Sequence, residues 1–95
     1  MPRPSEQIAR RYFISGRVQG VGFRNFAERA AEELGISGYV RNLADGRVEV
    51  YAIGSSDQLN QLSGLLAQGP RWANVTGIDS REEVIEARIR GFRVG

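Results

Sequence analysis

The hydrophobic spacing of this chain changes period abruptly at one place. In "RYFISGRV", Arg11 to Val18, the residues Tyr12, Ile14 and Val18 lie at even offsets, the period of a half-buried strand. From Phe23 onward, Phe23, Ala27, Ala30 and Leu34 fall at i, i+4, i+7 and i+11, one face of a helix, with Glu28, Arg29, Glu32 and Glu33 elsewhere on the wheel. Only a glycine-rich turn separates the two patterns. A strand that passes at once into an amphipathic helix must lay that helix's apolar face on something, and a sheet built by the same chain is the natural partner.

The remaining pattern supplies such a sheet. Gly35 stands where a helix C-terminus wants a glycine. "ISGYVRNL" and "RVEVYAIG" read as two strands joined by the tight turn "ADG", a hairpin. Ser55 with Gln58 three residues on is a capping box, and Leu59, Leu62 and Leu66 form the stripe of a second helix that ends near Gly69 and Pro70. "ANVTGIDSR" and "ARIRGFRV" read as two further strands, the last with Phe92 and Val94 on one side. The predicted class is α+β: a ferredoxin-like split βαβ sandwich, one antiparallel sheet with two helices on one face. Residues 1–9, polar with two prolines, are expected to be a flexible tail, and residues 10–95 the domain. This architecture hosts many unrelated functions and names none.

Composition narrows the chemistry. The 95 residues contain no cysteine and no histidine, which removes disulfides, thiolate nucleophiles and the side chain most used as a general acid or base near neutrality. Thirteen basic residues face 11 acidic ones, and every basic residue is arginine. No stretch approaches a membrane span, and "MPRPSEQIARR" lacks the apolar segment of a signal peptide, so a cytoplasmic location is expected.

The stretch "GRVQGVGFR", Gly16 to Arg24, carries the chemistry. It fits neither familiar phosphate loop: Asn25 stands where the dinucleotide fingerprint needs its third glycine, and no lysine exists to complete a nucleoside-triphosphate loop. What it does offer is a strand end turning directly into a helix. Several main-chain N–H groups there lack intrahelical partners, and glycine lets them converge on an anion. Arg24 sits in the first turn, where the helix dipole disfavours a cation unless an anion offsets it. The competing reading is that Gly20 and Gly22 make a sharp turn and Arg24 is a solvated surface residue.

Two stretches together carry a resemblance. "GRVQGVGFR" resembles the first signature of the acylphosphatase family, and "GYVRNLADGRVEV", Gly38 to Val50, resembles the second. The likeness runs from about Tyr12 to the carboxyl end. It implies the ferredoxin-like fold and hydrolysis of the carboxyl–phosphate bond of acyl phosphates. It also implies site residues: a phosphate cradle of Gln19, Gly20, Val21, Gly22 and Phe23, the phosphate-binding Arg24, and Asn42 to position the attacking water. Asn25 departs from the pattern, where an apolar or small residue is expected, and bears on helix packing or the pocket rim.

The inventory suits that reaction. A carboxylate of pKa about 4 leaves without a general acid, so a site without histidine, cysteine or lysine suffices. Asn42 has no useful basicity and would act by holding water; alternatively it is a strand-end residue bonding its own turn. Arg17 and Arg41 read as surface charges. Asp45, Asp57 and Asp79 lack metal-ligand spacing, so no metal or cofactor is expected. The expected partner is a small acyl phosphate, with no nucleic acid and no membrane, and the expected state a monomer. Two competitors stay open. One is a nucleic-acid module of the same topology, for which "RVEVYAIG" offers only Tyr51 for base stacking. The other is a regulatory domain that binds phosphate without turnover.

Overall fold

The computed structural model describes residues 6–95. Among them, in chain order, are β1 (Ile8–Arg17), α1 (Phe23–Leu34), β2 (Ser37–Asn42), β3 (Val48–Gly54), α2 (Ser56–Gln68), β4 (Asn74–Glu83) and β5 (Phe92–Val94). The strands form one sheet in the order β4-β1-β3-β2-β5. The pairs β1·β3, β1·β4 and β2·β3 are antiparallel, as the split βαβ plan requires, and β2·β5 is parallel.

Alternation assigns the faces. Tyr12 and Ile14 of β1, opposite Val50 and Val48 of β3, point into the main core with Val40 of β2. Phe23, Ala27, Ala30 and Ala31 of α1 and Leu59, Leu62 and Leu66 of α2 close over them. Each of those three leucines is wholly buried, which stabilises the fold by about 2 kcal/mol per side chain. Tyr12 is buried too, and its hydroxyl donates to Leu59 O (3.0 Å) or exchanges with Ser63 Oγ (2.8 Å). No helix among the described residues is long and apolar enough to cross a membrane.

The opposite face is covered by the chain itself. After β4, residues 84–91 run to the far edge of the sheet, where β5 begins. Tyr51 Oη donates to Val84 O and accepts from Glu86 N, while Ile89 packs on Ala9, Tyr51 and Ile53. This return to the other edge is why β5 runs parallel to β2, and it departs from the wholly antiparallel expectation. It also shortens the last strand: residues 87–91 of "ARIRGFRV" are irregular, because they cross rather than pair. At the other terminus, residues 1–5 of the expected tail lie outside the described residues. Ile8 and Ala9 are strand instead, paired with Gly54 and Ile53, and Ala9 is buried in the second cluster.

Candidate active site

The register brings several ends together. Ile14 of β1 and Asn42 of β2 both pair with Val48, and Val94 of β5 pairs with Val40, so the chain leaves all three strands at the same end of the sheet. Helix α1 starts there as well. Between β1 and α1, Gly20 and Gly22 adopt φ of +74° and +79°, a left-handed conformation that side chains rarely tolerate. A Cβ on either would meet no atom within 4 Å, so conformation rather than crowding selects glycine.

The two helices begin in opposite ways. Helix α2 has a complete capping box, in which Ser55 Oγ accepts from Gln58 N (3.2 Å) and Gln58 Oε1 accepts from Ser55 N (2.8 Å). Helix α1 begins on Gly22, which has no side chain to cap it, and its first turn holds no acidic residue. Among the described residues, no acceptor takes the main-chain N–H groups of Gln19 to Asn25; the first helical donor is Phe26 N, to Gly22 O at 3.1 Å. A run of amides left open at the positive end of a helix dipole is a site for an anion.

A pocket of about 380 Å³ lies against these amides, lined by Val18, Gly20, Gly22, Phe23, Arg24, Asn25, Asn42, Val94 and Gly95. Arg24 is exposed, and its Nη1 donates to the main-chain oxygen of Gly95 at 2.7 Å. Asn42 is exposed at the end of β2, and among the described residues its amide makes no hydrogen bond. The turn that follows is served by Asp45, whose carboxylate accepts from Arg47 N (3.1 Å) and pairs with Arg47 Nε (2.8 Å). Asn42 is therefore not spent on its own hairpin.

Five of the residues singled out in the sequence, Gly20, Gly22, Phe23, Arg24 and Asn42, line this one pocket. Val21 does not; it packs against the main core. Nor does the Gln19 side chain, whose Nε2 donates to Leu43 O (2.8 Å) and Arg47 O (3.0 Å). Val18, Asn25, Val94 and Gly95 join the lining. The alternation of strand β1 extends to Val18, and Asn25 stands out as the departure from the first signature. Gly95 carries no local signal, since it reaches the site only through the parallel placement of β5 and the bond from its N–H to Val40 O (2.7 Å).

Behind Asn42, a charge network fixes the strands. Glu49 of β3 is buried and takes Arg11 Nη1 of β1 at 2.6 Å and Arg41 Nε of β2, the residue next to Asn42. Arg11 Nε also reaches Glu83 of β4 at 2.8 Å, so one guanidinium spans the sheet. Burial alone would raise the Glu49 carboxyl, but the hydrogen bonds from Arg41 and Arg11 outweigh it and hold the group below its usual range. Arg41 is thus part of this network rather than only a surface charge. Tyr51, the aromatic residue that β3 offers for base stacking, is 1 % exposed.

The acylphosphatase family model matches residues 10–94. An acylphosphatase of Solibacter usitatus is 58 % identical over 91 residues, covering 96 % of this chain and 92 % of that one. Among solved structures, an acylphosphatase from Coxiella burnetii superposes with a TM-score of 0.89 at 38 % identity, covering 94 % and 93 % of the two chains. The acylphosphatase from Bacillus subtilis gives 0.88 at 33 % identity, over 93 % and 98 %. With residues of both signatures converging on one pocket, and with likeness running the length of the domain, the chain belongs to the acylphosphatase family.

Proposed function

We propose that this protein hydrolyses acyl phosphates to a carboxylate and inorganic phosphate, with the phosphoryl group held by the open amides of the Gln19–Phe23 loop and by Arg24, and with the attacking water held by Asn42. The observation that carries the reading is the uncapped start of α1 beside Arg24 and Asn42 in one pocket.

The chemistry follows from these groups. Water oxygen attacks phosphorus, the bond from phosphorus to the acyl oxygen breaks, and the carboxylate departs with that electron pair. The proton lost by the water passes to solvent or to a phosphate oxygen. In a loose transition state charge spreads over the equatorial oxygens, where fixed amide dipoles and a guanidinium stabilise it without reorganising. Arg24 offers a planar fork, one nitrogen of which is held by Gly95 O. Asn42 cannot remove a proton, but an amide free of other bonds can hold a water in line. The leaving group needs no acid, which agrees with a lining whose side chains include no carboxylate, histidine, cysteine or lysine.

In this proposal the active form is a monomer, and the lack of cysteine suits a reducing cytoplasm. Purified protein incubated with benzoyl phosphate should release benzoate and phosphate in equal amounts, with inorganic phosphate as a competitive inhibitor. Tight phosphate binding with no hydrolysis would favour the regulatory domain instead.

A further inference from the structure

We propose that Gln19 is a positioning residue that locks the phosphate loop to the hairpin carrying Asn42. The proposal rests on the reading above, in which Asn42 holds the water. Both protons of the Gln19 side-chain amide are committed, one to Leu43 O at 2.8 Å and one to Arg47 O at 3.0 Å. Two carbonyl acceptors leave no choice of orientation, since only the NH₂ end can serve both. Leu43 directly follows Asn42, and Leu43 N in turn donates to Arg47 O at 2.8 Å, so Gln19 grips both ends of the turn between β2 and β3. The residue carrying this grip directly precedes Gly20, the first of the two left-handed glycines.

Geometry explains why such a link is needed. The phosphate cradle belongs to the β1–α1 connection and Asn42 to β2, and Asn42 itself makes no hydrogen bond that would hold its side chain in place. In-line attack requires the water and the phosphorus to keep a fixed separation, and a misplacement of about 1 Å costs on the order of 10²-fold. Gln19 supplies that separation by tying the two segments directly, without touching substrate through its side chain.

The test is a double-mutant cycle on the full chain with benzoyl phosphate, with inorganic phosphate inhibition read in parallel. Gln19→Leu removes both donors at similar size, and Gln19→Glu keeps the shape while turning a carboxylate on the two carbonyls; the second variant serves if the first does not fold, judged by circular dichroism. Either is expected to lower kcat by about 10- to 100-fold while changing the phosphate inhibition constant by no more than about threefold. In an Asn42→Ala background the same substitution is expected to have almost no further effect, because the residue it positions is gone. Losses that multiply in the double variant, an equal loss of phosphate affinity, or an unchanged kcat would each overturn the proposal. Wild-type protein that leaves benzoyl phosphate intact, or Asn42→Ala at full speed, would remove the underlying reading and the proposal with it, an outcome visible before Gln19 is altered.

Discussion

Arg24 Nη1 and the main-chain oxygen of Gly95 meet at 2.7 Å across 71 positions of sequence. The bond fixes one side of a guanidinium that would otherwise sweep through solvent, and it leaves the other N–H groups of the fork for the pocket. On the proposed reading, an arginine placed against the helix dipole is thereby aimed before the phosphate arrives.

Replacing Arg24 should therefore cost both binding and turnover. Arg24→Ala is expected to lower kcat/KM by about 10³-fold and to weaken inhibition by inorganic phosphate in steady-state assays. Arg24→Lys should recover little, because an ammonium cannot hold Gly95 O and present a planar fork together.

Asn42 is expected to separate the two parameters. Asn42→Ala should reduce kcat by about 10²-fold with KM nearly unchanged, as for a group that orients water and makes no bond to the phosphate. Asn42→Asp places a negative charge beside the anion and should raise KM as well.

The pocket lining contains one charged side chain, Arg24, and no group with an ordinary pKa between the carboxylates and arginine. Turnover should stay nearly level from about pH 5 to 9 after correction for substrate ionisation and decay. A bell-shaped profile centred near neutrality would place a proton-transferring group in the site and contradict the mechanism.

Stability should respond to pH where turnover does not. The folded-state pKa of Glu49 lies below its ordinary value, with burial opposing and the hydrogen bonds from Arg41 and Arg11 prevailing. A depressed carboxyl contributes stability that is present above the ordinary value of 4.5 and is lost as pH falls through the folded value. Thermal melting should thus decline on the acid side of about 4.5. Glu49→Gln, which leaves Arg11 and Arg41 facing a neutral amide, should cost about 2 kcal/mol at neutral pH and flatten that decline.

Local pattern accounts for much of what the structure contains, and long-range placement for the rest. The face of α1, the Ser55–Gln58 box and the hairpin around "ADG" are written in short-range periodicity and turn chemistry, and each is found where its residues stand. The signatures identified Arg24 and Asn42, which share a pocket. Gly95 was invisible because nothing near it in sequence says that residues 84–91 cross to the opposite edge of the sheet. Gln19 was legible as a loop residue, yet its side chain serves the hairpin. A motif reports which residues occur together and is silent on which atom of each faces the substrate. The strand expected over 87–94 shrank for a related reason: a crossing segment can alternate in polarity without pairing.

At Gly22 the backbone conformation and the proposed chemistry make the same demand. An Asp or Ser there would not cap α1 as Ser55 caps α2: residue 22 holds φ +79° where Ser55 is extended, so a side chain would be strained and its oxygen misdirected. On the proposed reading, any oxygen brought there would also compete with the phosphate for the amides of the loop. Heat-resistant descendants of this chain should accordingly gain their stability elsewhere, in the sheet or in α2, and keep α1 beginning on a bare backbone.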